Sequence, residues 1–256
     1  MHILITGASS DVTKVLAQEL LKQEHTVTLT CSSENSLQEN SIFWEKEISN
    51  KKLSLIKFSL QHPEINKQNI ISLNCDAVVL NAWSKVEKLE IFHTIENQVI
   101  EDQFNINVKG NCELLKYLIP GMVERNLGRI LFISTLATVS GTSLYAPYSM
   151  GKAAIEALIK NIAVDYGKYN ISANTLRPGI LKTERTRRFW ERDFYQKMVS
   201  SSIPLLKMGE PIHVAKACLP FLDIETYLTG TELNVSGGLP LFNSKSMAKK
   251  GKKSES

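Results

Sequence analysis

Short runs of aliphatic and β-branched residues recur along this sequence, separated by longer amphipathic stretches, and that order leaves few ways to fold. Ile3-Leu4-Ile5, Thr26 to Thr30, Leu53 to Phe58, Ala77 to Leu80, Arg129 to Ile133, Ile171 to Leu176 and Thr231 to Val235 read as strands. Helical spacing covers Val12 to Leu21, where Val12, Val15, Leu16 and Leu20 share a face. It also covers Ile95 to Val123, Ala146 to Tyr166 and Ile212 to Phe221, with Pro120 expected to break the second of these helices near its end. Strands that are apolar throughout, alternating with helices, imply a parallel sheet covered on both faces. Right-handed crossovers then give an α/β fold of the Rossmann type, a doubly wound parallel sheet of about seven strands. Ligands are expected at the carboxyl ends of those strands.

The 256 residues suit one large domain, assigned here to residues 1–243, with residues 244–256 as a disordered basic tail. The net charge of +4 resides in that tail, which has five lysines and one glutamate; the body carries 25 basic and 25 acidic residues. Such a body has no field to attract nucleic acid, so no nucleic-acid partner is expected. No stretch approaches the ~20 apolar residues of a membrane helix, so no membrane association is expected. The opening apolar run is too short for a signal peptide. Cys31, Cys75, Cys112 and Cys218 form no C-x-x-C motif, which points to a reduced, cytoplasmic setting. The histidines show no metal-ligand spacing, so no metal is expected, and His213 is assigned a structural role.

Two local motifs carry chemistry. The first strand runs into Thr6-Gly7-Ala8-Ser9-Ser10-Asp11-Val12-Thr13, a glycine turn leading to a helix N-terminus, as at a pyrophosphate site. The competing reading is a tight turn with Asp11 as helix N-cap. Further on, Tyr148-Ser149-Met150-Gly151-Lys152 places a phenol and an ammonium one helical turn apart. A nearby ammonium favours phenolate and brings a tyrosine toward use as a proton donor or acceptor near neutral pH. Any such pair alone is usually a solvated helix face. Here Thr135 ends the preceding strand thirteen residues before Tyr148, and its neighbour Ser134 is the fallback hydroxyl.

Taken in order, these motifs resemble the short-chain dehydrogenase/reductase family over residues 2 to 240. The turn resembles T-G-x-x-x-G-x-G, with Asp11 and Thr13 at two glycine positions. Asn81-Ala82 resembles the end of N-N-A-G, with Trp83 for glycine, and Ser59-Leu60 stands where an acid and an adenine-contacting residue are common. Phe104 to Val108 resembles the segment bearing a catalytic asparagine, here Asn107. Arg177-Pro178-Gly179-Ile180, followed by Thr183, resembles the P-G-x-x-x-T loop. Thr229 to Gly238 resembles the closing strand and its V-D-G-G turn, with Ser236 for Asp.

The resemblance implies an NAD(P)-dependent oxidoreductase. Tyr148 would exchange the proton, Lys152 would tune it and hold the nicotinamide ribose, Thr135 would bind the substrate oxygen, and Asn107 would support a water reaching Lys152. Cofactor contacts would come from Gly7, Ser9, Ser10, Asp11, Val12, Ser32, Ser33, Leu60, Asn81, Ala82, Tyr148, Lys152, Pro178, Gly179, Ile180 and Thr183. NADP(H) is preferred over NAD(H), because Thr30-Cys31-Ser32-Ser33 offers no carboxylate to repel a 2′-phosphate, and Lys14 is near. Asp11, a side chain and a negative charge facing a pyrophosphate, is expected to weaken binding. The substrate would be a small or carrier-bound carbonyl compound, with 3-oxoacyl thioesters as candidates, reduced in a biosynthetic direction. A homodimer or homotetramer is expected through the two long helices, with Ile155, Leu158, Ile159, Ile162 and Ala163 as a broad apolar face needing a partner. Arg185, Arg187, Arg188, Arg192 and Lys197, interleaved with Phe189, Trp190, Phe194 and Tyr195, read either as an anion-gripping lid or as a solvated basic face, with the second preferred. Two other classes stay open: a non-catalytic relative that binds a ligand or partner, and a sugar-nucleotide-modifying enzyme.

Overall fold

The computed structural model describes residues 1–84 and 89–241. The strands are β1 (His2–Thr6), β2 (Thr26–Cys31), β3 (Leu53–Lys57), β4 (Ala77–Leu80), β5 (Gly128–Ile133), β6 (Ile171–Pro178) and β7 (Glu232–Val235). Among the described residues they form one seven-stranded sheet, parallel throughout, in the order β3-β2-β1-β4-β5-β6-β7. This is the doubly wound sheet expected from the sequence. The strand order reverses between β1 and β4, so a crevice opens at their carboxyl ends.

The helices are α1 (Asp11–Lys22), α2 (Glu34–Phe43), α3 (Glu45–Ser49), α4 (Lys67–Ile71), α5 (Asn97–Asp102), α6 (Gly110–Arg125), α7 (Ala137–Ser140), α8 (Ala146–Tyr166), α9 (Arg187–Trp190), α10 (Asp193–Ser202) and α11 (Pro211–Leu222). Successive side chains of a strand point to opposite faces. Ile3 and Ile5 therefore join Leu16 and Leu20 of α1 and Val214 and Cys218 of α11 in one core. Leu4 joins Leu114 and Leu118 of α6 and Ile155 and Ile159 of α8 in the other. A smaller cluster, Val199, Ile203 and Met208 with Ile180, Trp190 and Tyr195, lies under the segment that follows β6.

Four expectations are corrected. The helix placed at Ile95 to Val123 begins at Asn97, after a 3-10 turn at Phe92–Thr94, and contains a π-helical turn at Gln103–Lys109. It does not break at Pro120; it runs on to Arg125 and ends at Asn126, whose φ of 52° is left-handed. The π turn delivers Gly110 to the carbonyl of Leu60, where an added Cβ would lie 2.3 Å from the oxygen. Helices α2, α3 and α4 were not expected: they are short or, like α2 with only Asn40 buried, carry no apolar stripe. Finally, Ile155, Ile159, Ile162 and Ala163 are buried in the chain's own core, with Leu158 packed against it, so this face needs no partner. The large apolar side chains that α8 leaves exposed are Met150 and Val164.

No helix among the described residues is long and apolar enough to cross a membrane. The tail assigned to residues 244–256 lies outside the described residues, as do residues 242 and 243 at the end of the assigned domain.

Candidate active site

The crevice between β1 and β4 is built from hydroxyls and one glycine. Thr6 Oγ1 accepts from the backbone N–H groups of Asn81 and Ala82, both at 2.9 Å, which fixes the chain leaving β4 to the chain leaving β1. Gly7 turns with φ +85°, and a Cβ there would sit 3.3 Å from the Ala82 Cα. Thr13, in place of a glycine, is wholly buried and accepts from Asn81 Nδ2 at 2.8 Å. This departure from the glycine turn thus satisfies a local polar group.

Tyr148 and Lys152 lie in the first two turns of α8, opened by Pro147 in its first turn. Burial pushes the Tyr148 phenol above its usual 10, while the Thr135 hydroxyl beside it and the charge of Arg185 pull it down. Lys152 Nζ lies 6.0 Å from the Tyr148 ring centroid. It donates to the Ile133 carbonyl at 2.7 Å and lies 4.0 Å from the Trp83 ring centroid and 4.7 Å from that of Phe132. Burial, with the charge of Arg185 adding to it and Glu156 opposing it, lowers its pKa from 10.5 to about 7.

One turn beyond Lys152, Glu156 supplies the charge that organises this end of the sheet. Its Oε1 accepts from Ser134 Oγ at 2.5 Å, Thr138 Oγ1 at 2.9 Å and Arg177 Nε at 2.9 Å; its Oε2 accepts from Arg177 at 2.6 Å. Burial alone would raise this carboxyl, but those donors, Arg177 foremost, leave it below its usual value. Arg177 also pairs with Glu232 of β7 at 2.7 Å, and Lys160 meets the same carboxylate at 2.7 Å. Ser134 is therefore committed to Glu156, which leaves Thr135 as the hydroxyl beside the phenol. Sequence reasoning missed Glu156 and Arg177. The available signal was a carboxylate on the otherwise apolar buried stripe of α8, four residues after Lys152.

Asn107 departs from its implied role. It is fully buried in the π turn, its Oδ1 accepts from the Ser84 N–H at 2.7 Å, and its Nδ2 donates to Ser84 Oγ at 2.7 Å and Gln103 Oε1 at 3.0 Å. The amide is spent on clamping the residue after Trp83.

The remaining named residues divide between crevice and core. Ser10 is the N-cap of α1, which removes Asp11 from that position; Asp11 is the first helical residue. Its carboxylate reaches across the crevice and accepts from the Glu184 N–H at 2.7 Å. Ser9 exchanges a hydroxyl contact with Ser36 at 3.0 Å, and Ser33 caps α2 by accepting from Ser36 N–H at 3.2 Å; Ser32 and Ser33 are both exposed. The side chains of Val12 and Leu60 belong to the two cores, so only their backbones can face a ligand. Gly179 N–H is taken by the Val235 carbonyl, Pro178 ends β6, and Ile180 packs into the small cluster. Thr183 caps the turn Glu184–Thr186. A cleft of about 340 Å³ runs between Asp11, Lys14, Phe43, Thr183 and Trp190. A larger one, about 540 Å³, lies at the opposite end of β1 to β3 around His2 and Leu53 and is remote from Tyr148.

In the segment after β6, Arg187 pairs with Glu184 at 3.0 Å and Glu191 at 2.9 Å, while Trp190 and Tyr195 pack inward. His213 completes a capping box with Glu210 at the start of α11. No group of His, Cys, Asp and Glu among the described residues could hold a metal ion.

A doubly wound sheet with a phenol, a hydroxyl and a buried ammonium at its carboxyl ends defines a Rossmann-type oxidoreductase. Comparison with known proteins is specific about which. A family described as Enoyl-(Acyl carrier protein) reductase matches residues 71–240. The 3-oxoacyl-[acyl-carrier-protein] reductase FabG of Rickettsia typhi is 30% identical over 247 residues, covering 92% of this chain and 95% of that protein. The 7alpha-hydroxysteroid dehydrogenase of Paraclostridium sordellii is 34% identical over 140 residues, 54% of this chain and 52% of that one. In fold, the chain is similar to ElxO with NADP bound, at a TM-score of 0.84 and 24% identity, covering 93% of this chain and 97% of that one. The chain belongs to the short-chain dehydrogenase/reductase family, and its class is that of NAD(P)H-dependent oxidoreductases.

Two predictions follow from this geometry. Lys152 titrates near 7 when folded and near 10.5 when unfolded. Its proton therefore costs the fold increasingly as pH drops from 10.5 to 7, reaching about 5 kcal/mol below 7. Lys152→Met is expected to raise Tm more at pH 6.5 than at pH 9.5; equal shifts in thermal unfolding at the two pH values would contradict this. For Asp11, the acceptor matters more than the charge. Asp11→Gly is expected to speed amide hydrogen exchange at Glu184 by about tenfold or more, the worth of a hydrogen bond to a charged group, while Asp11→Asn retains most of the protection.

Proposed function

We propose that this protein reduces a ketone to a secondary alcohol with NADPH, acting on a 3-oxoacyl thioester or similar carrier-bound carbonyl compound in a biosynthetic direction. The observation that carries the reading is Tyr148, half-buried beside the Thr135 hydroxyl at the carboxyl end of β5. The two relatives named above interconvert, by their names, a ketone and a secondary alcohol, which supports the reaction type. Coverage of 95% of a 3-oxoacyl reductase favours this substrate class over a sugar nucleotide.

The residues present fit a dinucleotide at the crevice. Gly7 allows close backbone approach, α1 offers its N-terminus, and the end of β2 presents Ser32 and Ser33 without a carboxylate. When bound, the dinucleotide supplies hydride to the carbonyl carbon. Thr135 donates a hydrogen bond to the carbonyl oxygen, and Tyr148 gives that oxygen its proton, so hydride and proton together make the alcohol. Lys152 holds the nicotinamide ribose, and its positive charge favours the phenolate that proton transfer leaves on Tyr148 until solvent restores the proton. Gly7, Ser9, Ser10 and the loop Pro178 to Thr183 line the cofactor's path. Asn107 takes the role of a clamp, as its hydrogen bonds support. A second reading, a ligand-binding protein without turnover, draws on the contacts that Asp11 and Trp83 make across the crevice.

Four free cysteines favour a reduced, cytoplasmic setting. A homodimer or homotetramer through α8 is supported by its outer face, where small Ala153 and Ala157 lie between Met150 and Val164, all exposed.

Three measurements test these assignments. NADPH oxidation with 3-oxoacyl thioesters is expected for the wild type, and Tyr148→Phe should lower kcat by about 100-fold or more with unchanged thermal stability; near-wild-type kcat in the mutant would remove Tyr148 from the chemistry. Calorimetric titration should give tighter binding of NADPH than NADH, and the reverse order would contradict the cofactor assignment. Light scattering at micromolar concentration should report at least a dimer, and Val164→Glu should dissociate it; a monomeric wild type would overturn the α8 interface.

A further inference from the structure

Trp83 is the residue most out of keeping with an open crevice. It follows β4 and lies over the catalytic end of α8. Its ring centroid is 4.0 Å from Lys152 Nζ, 6.0 Å from the Phe132 ring and 6.2 Å from the Tyr148 ring, edge to face with the last. Gly151 leaves room for it: a Cβ there would lie 3.1 Å from Trp83 Cζ2, close enough to push the ring aside by a few tenths of an ångström. Its Nε1 is buried and has no hydrogen-bond partner among the described residues. An indole that forgoes its own hydrogen bond is held by its ring face, and here the face is on an ammonium.

The backbone beside it is fixed. Ser84 N–H donates to Asn107 Oδ1 at 2.7 Å, and Ser84 Oγ accepts from Asn107 at 2.7 Å and Gln103 at 3.1 Å. The clamp ends at Ser84, so the Trp83 side chain can turn on its own rotatable bonds while the strand end stays in place. Lys152 has one carbonyl partner among the described residues, Ile133, and the rings of Trp83, Phe132 and, farther off, Tyr148 lie around the rest of its ammonium.

We propose that Trp83 is a positioning residue that seats Lys152 on the Ile133 carbonyl, and that NADP(H) binding displaces its indole from the ammonium, so that Trp83 sets cofactor affinity. This rests on the assignment of Lys152 to the nicotinamide ribose made above, because ribose hydroxyls and the indole compete for one face of one ammonium. A cofactor that must break a buried cation–π contact binds more weakly by the worth of that contact. Removing the ring removes the competition. A phenyl ring, with a weaker quadrupole and less area, leaves part of it.

The test uses the full chain labelled with 5-fluorotryptophan. Its three tryptophans, Trp44, Trp83 and Trp190, give three ¹⁹F resonances, and the one lost in Trp83→Phe is assigned to Trp83. On saturation with NADP⁺, that resonance should acquire an H₂O/D₂O isotope shift, reporting exposure to solvent, while the Trp44 resonance stays unchanged. By calorimetry, Trp83→Gly should bind NADP⁺ about tenfold more tightly or better, with Trp83→Phe between the two. Thermal unfolding of each variant establishes that it is folded. A wild type that binds NADP⁺ with no change in the solvent isotope shift of Trp83, or a folded Trp83→Gly with equal or weaker affinity, overturns the proposal and leaves the reductase reading intact. Failure of the wild type and both variants to bind NADP(H) at all overturns the cofactor assignment itself.

Discussion

A single carboxylate, buried at the carboxyl end of the sheet, fixes the elements that make the site. Glu156 sits on α8 and takes hydrogen bonds from Ser134 at the end of β5, Thr138 in α7 and Arg177 in β6. Arg177 passes the connection to Glu232 of β7. The end of β5, α7, α8, β6 and β7 are thereby registered to one another by charge-assisted bonds, the strong and directional kind. Withdrawing one partner from such a buried set costs about 3–5 kcal/mol, because the others are left uncompensated. Thr135, next to Ser134, and Tyr148, two turns before Glu156, inherit their separation from this set.

The other half of the site is organised by desolvation. Lys152 is 3% exposed and among the described residues holds one hydrogen bond, to a main-chain carbonyl. Aromatic faces supply the rest of its surroundings, which explains an ammonium that loses its proton near neutrality. The same burial raises the phenol of Tyr148. Burial thus disfavours the charged form of both groups, and both lie in the field of Arg185, a residue on the turn after β6. The contact from Asp11 to Glu184 secures the start of that turn, so the segment that follows β6 is linked electrically to the proton-transfer groups and mechanically to α1.

Much of the fold was legible because buried parallel strands are apolar at every position, and β1, β4 and α8 fall where their residues indicate. Helix α2 was not, since Glu34 to Phe43 has no periodic stripe to read and buries only Asn40. The π turn at Gln103–Lys109 was invisible for a different reason: helical spacing continues through it, and the extra residue shows only in how Gly110 meets Leu60. In the site, the spacing of Thr135, Tyr148 and Lys152 was enough to bring them together. The partners of Asn107, and the reach of Asp11 across to Glu184, join residues far apart in the chain, and no local pattern encodes such a pairing. Trp83 stood out as a departure from the family turn, but that its ring would lie on Lys152 depended on the packing of β4 against α8.

The central claim is direct hydride transfer to a carbonyl carbon with the proton supplied from the protein. It is tested most directly by incubating the wild-type enzyme with a 3-oxoacyl thioester and NADPH carrying deuterium at C4, each diastereomer in turn, and examining the product by mass spectrometry and NMR. One diastereomer is predicted to place a single deuterium on the carbinol carbon of the hydroxyacyl product and the other none. A hydroxyacyl product free of deuterium with both diastereomers would contradict the account.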